Sequence, residues 1–148
     1  MSIARILLPT FVLVLLLSAT GTAAAEGHFD RARMLVGKQQ LEGALVSDSG
    51  SKRVLFDTGG SIAAQMPYER IKALHYERSS KPRYAAGLLV AWPLLFTKSK
   101  QHYLTIQYAD EAGAGRYMIV RLSKENFRSA LDTLEADTGV KIDRSEER

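Results

Sequence analysis

The chain has 148 residues, 46% of them apolar and 24% charged, with no cysteine and a formal net charge of +4. One domain's worth of chain at this composition can bury a core without staples, and the absence of cysteine excludes a disulfide framework. The modest positive excess favours an anionic partner such as a membrane surface. Nucleic acid is not expected, since no Lys/Arg run is interleaved with aromatic residues.

In chain order the first element is an export signal. Arg5 precedes an apolar core from Ile6 to Leu17, and Ala23-Ala24-Ala25 fits the small-x-small rule for cleavage. This layout assigns residues 1–25 to a secretory signal peptide cleaved after Ala25, and the protein to the periplasm or the exterior. The apolar core is short of the roughly 20 residues a membrane span needs, and Pro9 interrupts it. An uncleaved N-terminal anchor is the other reading of the same pattern.

Residues 26–38 are mixed and polar and read as a mobile arm. "QLEGALVSD" then alternates as a strand does, "SDSGS" turns the chain, and "KRVLFDT" returns, so Leu41 to Thr58 reads as a β-hairpin. "SIAAQM" reads as a short strand ended by Pro67, which cannot donate to a ladder. A turn over Pro67–Arg70 leads into a strand from about Ile71 to Glu77. "HYLTIQY" is the clearest strand, with His102, Leu104, Ile106 and Tyr108 on one face and Tyr103, Thr105 and Gln107 on the other. "ADEAGAG" turns the chain, and "RYMIVRL" returns.

At Ser123 the period changes. Phe127, Ala130, Leu131 and Leu134 fall at i, i+3, i+4 and i+7, the stripe of an amphipathic helix. Ser123 is the expected N-cap, Arg128 and Asp132 an expected i, i+4 ion pair, and Gly139 the expected C-terminal stop. Val140 and Ile142 can tuck back onto the core, and residues 143–148 read as a solvated tail.

Two Asp-Thr-Gly triplets raise the question of an aspartic protease, whose catalytic aspartates share one proton. Asp137-Thr138-Gly139 falls at a helix end and lacks the apolar strand that would hold a catalytic carboxylate. Asp57-Thr58-Gly59 does follow Val54-Leu55-Phe56, but Gly60 stands where that family has Ala, Ser or Thr. The triplet is read as a strand end and turn. A small homodimeric protease, one Asp57 per chain, is the alternative. Other site chemistry is sparse: His28, His75 and His102 lack metal-ligand spacing, no serine lies in a G-x-S-x-G elbow, and no glycine-rich phosphate loop precedes a helix. No catalytic residue, metal or small-molecule cofactor is expected.

The segment Tyr84 to Lys100 is almost wholly apolar from Ala85 to Phe96, with Arg78, Lys81 and Arg83 before it and Lys98 and Lys100 after it. It is too short to span a bilayer. Either it is core, or it is an exposed insertion over residues 84–97 that dips Leu88, Leu89, Trp92, Leu94, Leu95 and Phe96 into an anionic membrane surface, helped by its basic flanks.

The motifs "LEGALVSDSGSKRVLFD", "MPYERIKALHY" and "KQHYLTIQYADEAGAGRYMIVRLSKENFRSALDTLEADTG" resemble the opening hairpin, its continuation and the closing hairpin and helix of exported bacterial pleckstrin-homology-like (PH/GRAM-type) domains. The resemblance covers about Leu41 to Ile142. It implies an α+β, mainly β fold: a small antiparallel β-barrel or bent sheet over residues 39–142, capped by one C-terminal amphipathic α-helix. It also implies a non-enzymatic binding module whose partner is a membrane surface or an envelope protein. A structural envelope protein is a further reading. Lys52 and Arg53 are the cations of the opening turn, short of the basic signature with which eukaryotic PH domains hold phosphoinositides.

Overall fold

The structure, a computed structural model, describes residues 26–37, 39–84 and 99–144. The strands are β1 (Glu26–Val36), β2 (Gln39–Asp48), β3 (Arg53–Asp57), β4 (Ile62–Pro67), β5 (Ile71–Ser79), β6 (Gln101–Ala109), β7 (Gly115–Leu122) and β8 (Ile142–Arg144). A 3₁₀ turn over Tyr68–Arg70 joins β4 to β5, and one helix, α1 (Phe127–Thr138), lies between β7 and β8. The fold is mainly β with one C-terminal helix. The described strands form a single sheet in the order β4-β3-β2-β1-β7-β6-β5-β8, open at β4 and β8, so it is not a closed barrel. The expected signal at 1–25, the insertion residues 85–97 and the tail residues 145–148 lie outside the described residues.

Residues 26–38 were expected as a mobile arm; instead Glu26–Val36 is a strand at the middle of the sheet. The period-two signal is broken by a bulge. Phe29 pairs with Leu45 and Ala32 with Gly43, so three residues of β1 are spent against two of β2. Arg31 takes up the difference with φ of 56°. The bulge puts Phe29 on the same face as Ala32 and Met34, and all three are buried in the main core. A second correction concerns the tail. Asp143 and Arg144 belong to β8, which pairs parallel to β5 through Leu74↔Ile142 and Tyr76↔Arg144.

The helix packs Ala130, Leu131 and Leu134 against one face of the sheet, with Phe127 partly buried beside them. Facing them are Leu74 and Tyr76 of β5, Leu104 and Ile106 of β6, and Met118, Val120 and Leu122 of β7. Tyr103, Thr105 and Ile119, pointing the other way, are also buried, so the middle of the β6–β7 pair is covered on both faces. Gly139, with φ of 69°, ends α1 as its sequence signal implied, its N–H donating to the Glu135 carbonyl at 3.1 Å. The start differs. Ser123 closes a turn, its hydroxyl accepting from the Asn126 N–H at 3.2 Å, and the helix begins only at Phe127.

A part-buried polar cluster fastens the end of the helix to the sheet. The fully buried Ser47 on β2 donates its hydroxyl proton to Asp137 Oδ2 at 2.7 Å and lies 2.7 Å from the Tyr68 hydroxyl. Burial pushes the Tyr68 phenol above its ordinary range, opposed by the Ser47 hydrogen bond and reinforced by the Asp137 charge.

Three turns are each folded around an aspartate. Asp48 accepts from the N–H groups of Gly50 and Ser51 at 3.0 and 3.2 Å. Asp110 accepts from Ala112 and Ala114 at 3.0 and 2.9 Å. Asp57 accepts from Gly59 at 2.7 Å. Asp57 thus does at the end of β3 what Asp48 and Asp110 do at theirs.

Three stability outcomes follow from this packing. Leu131 is 1% exposed, and Leu131→Ala should cost about 2–5 kcal/mol in urea unfolding, as a cavity in a close-packed core does. Gly43 faces the β3 backbone so closely that a Cβ would run into the Asp57 carbonyl oxygen and lie 2.9 Å from the Phe56 ring. Gly43→Ala should therefore destabilise by about 1–3 kcal/mol or more; an unchanged urea midpoint would contradict that close approach. Folding favours the protonated Tyr68 phenol, so its contribution is complete at neutral pH and is withdrawn as pH rises above 10.0 toward the raised folded value. In a phenolate absorbance titration, Tyr68→Phe should remove one late-titrating group.

Candidate functional site

The apolar residues Leu88, Leu89, Trp92, Leu94, Leu95 and Phe96, and Lys98 of the basic flank, lie outside the described residues. The remaining flank residues, Arg78, Lys81, Arg83 and Lys100, are all exposed and gather at one end of the β5–β6 hairpin. Ser79 pairs with Gln101 at the last rung, and Arg78 with His102 one rung before. The chain leaving β5 is tied down by Glu77, whose Oε1 accepts from the Ser79 hydroxyl at 2.7 Å and the Arg83 N–H at 2.8 Å.

Strand alternation carries Arg78 onto the helix side of the sheet. Leu74 and Tyr76 on that face are buried in the core, and Arg78, two residues on, emerges past its edge. There it meets the start of α1. Between them runs a groove of about 580 Å³ lined by Tyr76, Arg78, Phe127, Arg128, Leu131 and Arg144, with Asp132 at its rim. A second hollow of about 390 Å³ shares Arg78, Phe127 and Arg128 and adds His102, Lys124 and Glu125. The two share Arg78, Phe127 and Arg128 and so adjoin each other where the helix meets the end of the hairpin.

Their wall is aromatic. The His102 and Phe127 rings stack at 3.8 Å between centroids and 11° between planes, and Tyr76 stacks on Phe127 at 5.8 Å and 8°. The Tyr76 hydroxyl is hydrogen-bonded to His102 Nδ1 at 2.8 Å, which locks the two rings together. Above this wall the Arg128 guanidinium lies 5.6 Å from the Phe127 centroid, within cation–π range.

Four cations face these adjoining hollows against two carboxylates. The carboxylates are already engaged. Asp132 pairs with Arg144 at 3.3 Å rather than with Arg128 as the helix spacing suggested, because β8 brings Arg144 alongside the helix. Glu125 is held below its ordinary range chiefly by its own backbone N–H, and then by Arg31 at 4.0 Å. Arg144 also reaches Glu135 at 3.6 Å. Arg78 and Arg128 stand in no ion pair among the described residues. The groove is thus an electropositive, aromatic-walled depression suited to an anion with an apolar portion.

Of this constellation the sequence marked only Arg78 as a site residue. Phe127 reads as a helix stripe position, Arg128 as an ion-pair partner, Arg144 as tail and His102 as a strand residue; nothing local links four segments so far apart in the chain. The other histidines make separate contacts, His28 with Asp30 at 2.9 Å and His75 with Asp143 at 3.3 Å. No metal-holding cluster of His, Asp and Glu occurs among the described residues. Asp57 and Asp137 are separated as well: Asp57 pairs with Ala44 on β2 while Asp137 bonds Ser47, three rungs away, or about 10 Å at the strand rise. Ser47 itself is fully buried, so its contact with Asp137 presents no accessible nucleophile. Among the described residues no helix is long and apolar enough to cross a membrane.

No family model matches the sequence, and comparison with curated proteins gives no match. Among solved structures the chain is similar to the hSac2 domain from human phosphoinositide phosphatase Sac2, with a TM-score of 0.51 and 12% identity over 83% of this chain and 79% of that one. At that identity the likeness is one of fold.

Proposed function

We propose that this protein is an exported, PH-like, non-catalytic binding module that attaches reversibly to an anionic membrane surface. The observation that carries the reading is the gathering of exposed cations at one end of the molecule. Arg78, Lys81, Arg83 and Lys100 from the β5–β6 hairpin are joined there by Arg128 from the start of α1. Each Lys or Arg close to an anionic surface contributes about 1 kcal/mol, so these five together give an affinity on the order of 0.2 mM. That attraction is reversible and sensitive to salt. In this reading the segment between Tyr84 and Ser99 supplies the apolar share: Leu88, Leu89, Trp92, Leu94, Leu95 and Phe96 enter the lipid, each contributing about 1.5–3 kcal/mol if fully buried.

The PH-like assignment is supported by the run of antiparallel hairpins closed by one amphipathic helix, and by the fold likeness to the hSac2 domain. That this neighbour belongs to a phosphoinositide phosphatase agrees with a lipid surface, but 12% identity carries no ligand across. A non-catalytic role is supported by the turn geometry around Asp57 and by the burial of Ser47, which holds Asp137.

Sedimentation with vesicles tests the proposal. The protein should pellet with vesicles rich in anionic lipid and not with zwitterionic ones. It should be partly released by salt, because the Debye length falls to about 3 Å at 1 M. A Trp92→Asp, Leu94→Asp variant that still folds should lose the salt-resistant part. A wild type left in the supernatant at low salt would defeat the membrane reading and leave an envelope-protein partner. Pepstatin-sensitive peptide cleavage at acid pH, abolished by Asp57→Asn, would replace it with the homodimeric protease.

A further inference from the structure

We infer that the groove between α1 and the end of the β5–β6 hairpin is a binding site for a phosphate monoester. For a lipid source of that group the inference rests on the surface-binding reading; for a soluble source it stands apart from it.

Charge comes first. Arg78 and Arg128 approach the depression from two different elements and are committed to no carboxylate among the described residues, while Lys124 adds a third cation at the same place. Arg144 is held by Asp132 and Glu135 and acts as a fixed wall. A carboxylate or phosphodiester brings a single negative charge. A phosphate monoester carries about −1.5 to −2 near neutral pH and offers three acceptor oxygens, so it can satisfy two guanidiniums at once. The planar fork of arginine matches phosphate oxygens in pairs, which an ammonium cannot do.

The helix supplies the second argument. α1 has no side-chain cap at Asn126 and no carboxylate in its first turn. The positive end of its dipole therefore lies beside Lys124, Phe127 and Arg128 of the smaller hollow, where Glu125, drawn toward Arg31, is the carboxylate at the rim. Arg128 is also pre-positioned by its place over the Phe127 ring, which itself stacks on the hydrogen-bonded Tyr76–His102 pair. Less side-chain freedom then remains to be lost on binding.

The floor gives the third. Phe127, partly exposed, is the apolar surface that the two hollows share, with the buried Tyr76 and Leu131 beneath it. An inorganic ion would leave the Phe127 ring uncovered; the carbon portion of an organic monoester would lie against it. The ligand class is accordingly an organic phosphate monoester, either the headgroup of a lipid or a small soluble molecule.

The test compares vesicles carrying phosphatidic acid, a monoester, with vesicles carrying phosphatidylglycerol, a diester, at matched surface potential. Glycerol 3-phosphate serves as the soluble probe. Binding to phosphatidic acid should be about tenfold tighter, the worth of one additional charge-assisted contact, and millimolar glycerol 3-phosphate should erode it. Arg78→Gln with Arg128→Gln should bring the ratio of the two vesicles to about one, whereas Arg83→Gln with Lys100→Gln should weaken both equally and keep the ratio. Arg128→Lys, which keeps the charge and loses the fork, should lower the ratio without unfolding the helix and guards against a misfolded double variant. Equal binding to both vesicles at matched potential, with no effect of glycerol 3-phosphate, would overturn the inference, as would a ratio indifferent to Arg78 and Arg128. If no vesicle binds yet glycerol 3-phosphate shifts the amide resonances of Phe127 and Arg128 in wild type and not in the double variant, the site stands with a soluble ligand and the membrane reading fails.

Discussion

The sheet exists as one piece because β1 is shared between its two halves. On one side β1 pairs along its length with β2, which carries β3 and β4. On the other it meets β7 through Arg33↔Arg121 and Met34↔Val120, and β7 carries β6, β5 and β8. The bulge between Phe29 and Ala32 is what lets β1 serve both. An extra residue bends the strand and increases its twist, so that Phe29, Ala32 and Met34 all face the helix. The close approach of Gly43 to the Asp57 carbonyl stands directly opposite this bend, at the rung that pairs Ala32 with Gly43.

Everything at the candidate site follows from how the helix seats on that bent surface. Leu131 and Leu134 set its depth, and the Ser47–Asp137 hydrogen bond fixes its C-terminal end. The Glu135 carboxylate then accepts from the Ile142 N–H at 3.0 Å and directs the chain into β8 alongside β5. With the C-terminal end held, the first turn of α1 has one place to go, over the end of the β5–β6 hairpin. Phe127 completes an aromatic stack with Tyr76 and His102, and Arg128 and Arg78 come to face the same depression. The groove is thus a consequence of core packing, with its charge supplied by residues that the packing leaves at the edge.

The aspartates show how one local chemistry recurs with no catalytic content. Asp48 and Asp57 end their strands and Asp110 directly follows β6, and each accepts from N–H groups two or more residues on, a side chain imitating a turn of backbone. The Arg116 guanidinium and the turn N–H groups hold the Asp110 carboxyl below its ordinary range. At Asp48 the Ser51 hydroxyl and N–H do the same. A triplet that spells the start of a protease loop is here one of three such turns among the described residues.

The sequence by itself determined the elements whose signals are local. The stripe Phe127, Ala130, Leu131, Leu134 and the stop at Gly139 placed the helix; alternation placed β6 and β7; aspartate with glycine or serine placed the turns. Each of these signals acts over a few residues and survives whatever the rest of the chain does. Only the tertiary structure decided that Glu26–Val36 is the central strand, because its bulge shifts the hydrophobic phase midway and no single period describes it. Only the tertiary structure made a strand of Ile142–Arg144, whose pairing with β5 depends on a partner some 68 positions earlier in the chain, as His75↔Asp143 shows. The site is of this second kind. Arg78, His102, Phe127, Arg128 and Arg144 come from four elements. Their meeting depends on the seating of the helix and the order of the strands, which are set by contacts between residues far apart in the sequence.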